Sequence, residues 1–134
     1  MKKILIIISS LVLFGCSLND EKNLNLVCNG TSVNITIDEL TKRESKETIP
    51  NNKLVYKIVN GKYGEYECKF TKDEILCNTS KPENDSNGLL TINRVSGVVS
   101  DVGIFNLKVP SNKVIETYHL RYDGQCENSK QNKF

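Results

Sequence analysis

Asn29-Gly30, Asn60-Gly61, Asn87-Gly88, Ser96-Gly97 and Asp123-Gly124 punctuate the chain, each beside an apolar, β-branched or aromatic run. Asn-Gly and Asp-Gly tolerate positive φ at both central positions, as a tight type I′ hairpin turn requires. Spread from Asn29 to Gly124, these pairs predict an antiparallel, all-β chain. The runs between them alternate as half-buried strands do. Tyr66, Cys68 and Phe70 alternate with Glu65, Glu67 and Lys69. Tyr118, Leu120 and Tyr122 share one side of a strand, with Thr117, His119 and Arg121 on the other. About eight strands result, and a small antiparallel meander closed as a barrel or folded as a two-layer sandwich buries them best.

The pattern also sets a register. With Asn29-Gly30 as a turn, Leu26 opposes Val33 and Leu24 opposes Ile35. Asp38 to Thr48 is charged and aperiodic and reads as a surface loop, with one short surface helix as the alternative. Leu54 to Val59 is a strand, Asn60-Gly61 turns, and Tyr63 to Phe70 returns with Gly64 at a bulge. A two-residue loop at Lys72-Asp73 sets Phe70 opposite Ile75 and Cys68 opposite Cys77. Ser80 to Gly88 is a polar loop. Leu89 to Val95 and Val98 to Ser100 flank Ser96-Gly97, Gly103 to Val109 ends at Pro110, and Val114 to Tyr122 closes the set.

The amino terminus is of a different kind. Lys2 and Lys3 precede eleven mostly apolar residues, Ile4 to Phe14. That is too short to span a bilayer, which takes about 20 helical residues, and fits a secretory signal. Leu13-Phe14-Gly15-Cys16 resembles the lipobox of bacterial lipoproteins, with Leu13, Gly15 and Cys16 on the pattern and Phe14 off it. The resemblance implies cleavage before Cys16 and acylation of that cysteine, and two or more chains hold a protein firmly to a membrane. Ser17, where the family's sorting rule keeps Asp for the inner membrane, implies an outer-membrane anchor facing the periplasm. The expected organisation is a signal peptide over 1–15, a lipidated tether over 16–23, an all-β domain over 24–127 and a polar tail over 128–134.

Removing the fifteen leading residues from the 134 leaves 119, enough for one compact domain. Lys2 and Lys3 leave with the signal, so Lys and Arg fall from 18 to 16 against 16 Asp and Glu. A neutral chain lacks the basic footprint that nucleic acid requires, and nucleic acid is not expected as a partner. Of five cysteines, the lipobox takes Cys16. Cys28, Cys68, Cys77 and Cys126 remain, which in an exported domain reads as two disulfides with three pairings open. The hairpin register selects Cys68 with Cys77 and leaves Cys28 with Cys126. No Cys-x-x-Cys spacing occurs and there is one histidine, so neither a metal nor another cofactor is expected.

Nothing in the sequence forms a catalytic set. His119 points outward beside Arg121, and the carboxylate pairs Asp20-Glu21, Asp38-Glu39 and Asp73-Glu74 fall in a tether, a loop and a turn. The Asn-x-Ser/Thr triplets at Asn29, Asn34, Asn78 and Asn84 read as coincidence in an asparagine-rich chain. Tyr56, Tyr63, Tyr66, Tyr118 and Tyr122 are the candidate binding surface, with core filling as the competing role. A second, fainter resemblance links Leu90 to Gly97, Gly124-Gln125-Cys126 and Lys133-Phe134 to small exported bacterial proteins of unassigned function, and it implies no activity. The expectation is a non-enzymatic, membrane-anchored module that binds an envelope protein or acts as an inhibitor. The alternative is a carrier of a small apolar ligand within a barrel, which needs a continuous cavity above about 300 Å³.

Overall fold

The computed structural model describes residues 22–128; the signal segment, Cys16 and the tail beyond Asn128 lie outside them. Eight antiparallel strands follow in chain order: β1 (Leu24–Asp38), β2 (Glu44–Val59), β3 (Lys62–Tyr63), β4 (Tyr66–Phe70), β5 (Glu74–Asn78), β6 (Ser86–Asn93), β7 (Val98–Lys108) and β8 (Val114–Asn128). Each pairs with the next, and β8 returns to β1, so the meander closes as a barrel. A short 3₁₀ turn, Pro82–Asn84, separates β5 from β6.

Two of the five glycine pairs are turns. Asn60 and Gly61 have φ of 52° and 77°, and Gly97 has 74°. The other three lie inside strands, which corrects the expected register. β1 runs through Asn29-Gly30, so Leu26 opposes Tyr56 and Leu24 opposes Ile58, while Val33 and Ile35 oppose Thr48 and Lys46. These glycines answer crowding between elements, not a need for positive φ. Gly30 faces Gly124 across β1 and β8. A Cβ on Gly30 would overlap the Asp123 carbonyl, and one on Gly124 would lie 2.7 Å from the Tyr122 hydroxyl oxygen. A Cβ on Gly88 would overlap the Thr79 hydroxyl. Glycine is the residue that permits such close approach within a strand.

Other expected loops also prove to be strand. Only Glu39 to Arg43 turns between β1 and β2, held by Asp38, whose carboxylate accepts the Leu40 and Thr41 N–H groups at 2.9 Å each. Glu44 to Thr48 is strand with both faces in solvent, so no apolar alternation marks it. Gly64, with φ of 60°, is part of the turn between β3 and β4 and not a bulge. Gly103 continues β7 without a break from Val98, and β6 begins at Ser86. The Lys72-Asp73 hairpin is as expected: Cys68 opposes Cys77 and Phe70 opposes Ile75, with the Thr71 N–H donating to the Glu74 carbonyl at 2.9 Å.

Both disulfides form. Cys68–Cys77 joins β4 to β5 and Cys28–Cys126 joins β1 to β8, with Cα atoms 4.2 and 3.9 Å apart. The core sits beside them in the closed half of the barrel: Leu26, Tyr56, Ile58, Ile75, Leu90, Ile92 and Val99 are all buried. Burying each aliphatic side chain contributes roughly 1.5–3 kcal/mol. Lys22 and Asn23, expected as tether, are tied to this end: the Lys22 carbonyl accepts the Gly61 N–H at 3.0 Å, and the Asn23 side chain accepts the Asn60 N–H at 2.9 Å.

Candidate binding surface

β1, β2, β7 and β8 are longer than the closed half requires. Beyond the core they run on as an open sheet in the order β2-β1-β8-β7, from Glu44–Ile49 through Ser32–Asp38 and Glu116–Leu120 to Gly103–Lys108, with the start of β6 still paired to β7 as far as Phe105. A polar layer marks the boundary. The Tyr56 hydroxyl donates to the Asp101 carboxylate at 3.0 Å, the Tyr122 hydroxyl donates to the Asn52 carbonyl at 3.1 Å, and the Asn52 amide donates to the Ser32 hydroxyl at 2.7 Å. Burial holds the Asp101 carboxyl above the usual carboxylate range. Burial, and secondly the Asp101 charge, push the Tyr56 phenol well above its ordinary value, so Tyr56 keeps its proton and remains the donor.

The inner face of the open sheet continues the core's strand positions, and among the described residues no layer lies over it. Phe105 and Tyr118, directly opposed on β7 and β8, stack with ring centroids 4.5 Å apart and planes 8° from parallel. Leu107 and Leu120 flank them and are 45% and 40% exposed. Ile49 lies toward the β2 edge, 38% exposed. Apolar side chains in inward-pointing register, stacked yet open to water, are the kind that mark interaction sites.

The outer face is apolar as well. Leu89, Val102 and Ile104 line a shallow cleft of about 350 Å³ with Asn78, Ser80 and Asn87 at its rim. A chain of polar contacts fastens this side. Asp85 takes Asn106 at 2.8 Å and Lys108 at 3.0 Å, the Asn106 and Glu39 side chains each lie 2.8 Å from the Thr117 hydroxyl, and Lys42 pairs with Glu39. The hydrogen bond from Asn106, and then Lys108, hold the Asp85 carboxyl below its ordinary value.

The five tyrosines do not form one surface, which corrects the expectation. Tyr56 and Tyr122 are buried core residues, and Tyr63 packs on Tyr56 with centroids 5.8 Å apart. Tyr66 is half-buried on β4 with the Lys81 ammonium 5.6 Å from its ring, and Tyr118 alone belongs to the open sheet. His119 lies on the outer face between Ile35 and Ile104, as its strand parity predicts. The missed residues are Phe105, Leu107 and Leu120. Their signal is present, since Val102 to Leu107 has apolar residues on both parities. Such a run reads as buried on both sides, and only the missing layer above it makes it a surface. Among the described residues no group of three or more His, Cys, Asp or Glu side chains could hold a metal ion. Comparison with known proteins finds no matching family model, no matching curated protein and no matching solved structure.

Proposed function

We propose that this chain is a lipid-anchored module of the bacterial envelope, held by Cys16 to the outer membrane and facing the periplasm, that binds a protein partner through its open sheet without catalysing a reaction. The observation that carries the reading is the stacked Phe105–Tyr118 pair with Leu107 and Leu120 on an uncovered inner face. Aromatic anchors surrounded by aliphatic contacts are the usual core of a protein interface. Two disulfides suit an oxidising compartment. The carrier alternative has less support, because the interior of the closed half is filled by side chains from Leu26 to Val99.

Photocrosslinking in intact envelopes tests the reading. A photoreactive residue at position 105 is expected to trap one protein in stoichiometric yield, and the same residue at Lys72, on the closed-half turn, is expected to trap none. Equal capture from both positions, or none from 105, sinks the binding surface. Mass analysis of the peptide beginning at Cys16 tests the anchor separately: an unmodified, uncleaved start removes it.

A further inference from the structure

The outer edge of β2 is the longest unpaired backbone of the described fold. β3 pairs with β2 only at Ile58 and Val59, and among the described residues no strand covers the side of Glu44 to Lys57 away from β1. Residues 43 to 51 are exposed, and Arg43, Glu44, Lys46 and Glu47 alternate in charge about Ser45. We propose that this edge pairs with the same edge of a second copy, antiparallel and centred on Ser45, so that two open sheets join as one continuous sheet in a twofold dimer. The inference goes beyond the partner-binding reading and does not depend on it.

Backbone direction and charge select the same register. The Arg43 carbonyl accepts the Asp38 N–H at 2.9 Å, so the Arg43 peptide groups face β1. By antiparallel alternation those of Ser45 and Glu47 also face β1, and those of Glu44, Lys46 and Thr48 face outward. A second copy of the edge must match outward residues with outward residues, which centres the pairing on a residue and not between two. Centring on Glu44 opposes Glu44 to itself, on Lys46 opposes Lys46 to itself, and on Glu47 opposes Glu47 to itself. Like charges directly opposite destabilise a strand pair. Centring on Ser45 instead sets Glu44 against Lys46 and Arg43 against Glu47, each twice by symmetry. The Glu44 and Lys46 backbones then exchange hydrogen bonds across the axis. Pro50, with no N–H to give, ends the usable edge before the β2 irregularity at Asn51, whose φ is 55°. An isologous contact of this kind closes on itself and stops at two copies.

Sedimentation of the full chain in detergent micelles across a concentration series reads the association. The unaltered chain is expected to show reversible monomer–dimer exchange. Glu44→Lys and Lys46→Glu should each weaken it at least about tenfold, since each turns two attractions into repulsions. The double variant, carrying both, should regain the original association, and mixing the two single variants should give a heterodimer where each alone is monomeric. These residues are exposed, so the barrel is expected to survive, and recovery of both native disulfides checks it. In a second assay, Ser45→Cys should give a covalent dimer on oxidation and Lys57→Cys should not. A chain that stays monomeric throughout, leaving the edge for a foreign strand, overturns the proposal. So does association that the single variants leave unchanged, which would place the contact on another face.

Discussion

The two halves of this barrel are built from the same strands and obey different rules. In the closed half, eight strands surround inward side chains, both disulfides lie beside the core, and Leu26, Ile75, Leu90, Ile92 and Val99 have no exposed surface. In the open half, β1, β2, β7 and β8 continue with the same alternation, joined by the start of β6, yet Phe105, Leu107 and Leu120 meet water. Alternation therefore fixes which way a side chain points and says nothing about whether anything lies above it. Buried apolar side chains are concentrated in one half, and exposed ones in the other. The Tyr56–Asp101 layer stands between them.

The sharpest way to break this division is to cut the closed half at its seam. Replacing Cys28 and Cys126 by serine opens a crosslink spanning 98 residues of sequence, with an expected loss of about 4–5 kcal/mol in the chain-entropy account. The same change at Cys68 and Cys77, 9 residues apart, should cost about 2.5–3 kcal/mol. Denaturant midpoints for the two pairs should differ in that order, and equal losses would mean that the β1–β8 seam is not special. Next, Ile92→Ala should destabilise by about 2–5 kcal/mol through the cavity it leaves. Phe105→Ser, in the open half, should cost less than about 1.5 kcal/mol while weakening the partner capture expected from a photoreactive residue at Leu107. If Phe105→Ser unfolds the protein as Ile92→Ala does, the open half is core and the comparison fails.

Two further effects probe the boundary layer. Tyr56→Phe removes the donor from a buried carboxylate and should cost roughly 1.5–3 kcal/mol at neutral pH. Asp101→Asn should act in the opposite sense, since it keeps an acceptor for Tyr56 without a buried charge. The folded-state carboxyl of Asp101 is raised above its ordinary value of 3.8 by burial. Its charge therefore weighs against folding above the folded-state value, and that burden disappears as pH falls below 3.8. The stability gain of Asp101→Asn should be present at pH 7 and absent at pH 3. A gain that does not change with pH would show that Asp101 is not the strained acid of this layer. Hydrogen exchange gives a gentler test, because in the Glu44→Lys variant, where the edge is expected to be unpaired, amides of Glu44 to Ile49 should exchange well before those of β5 and β6.

The strand count, the antiparallel order and the Cys68–Cys77 hairpin were legible from residues alone, because they rest on neighbours in sequence. Tyr66 to Cys77 contains its own alternation, its own turn and its own crosslink. The errors share one cause. Asn29-Gly30, Asn87-Gly88 and Asp123-Gly124 have the composition of turns, yet their glycines lie against the Asp123 carbonyl, the Thr79 hydroxyl, and the Tyr122 hydroxyl with the Asn29 carbonyl, in that order. Glu44 to Thr48 has the composition of a loop, and it is a strand because β1 offers it a backbone to pair with. In each case what decides is the packing of the folded chain, out of reach of any local composition pattern.

Composition and periodicity by themselves determined the all-β class, the faces of Tyr118 to Tyr122 and the pairing of the four domain cysteines. These follow from the two-residue repeat of a strand and the short reach of a hairpin. Only the tertiary structure decided where the barrel closes and where it stays open, because closure depends on which strand ends meet across the sheet. That same meeting buries Tyr56 and Tyr122, leaves Phe105 and Leu120 in water and leaves the far edge of β2 without a partner strand among the described residues.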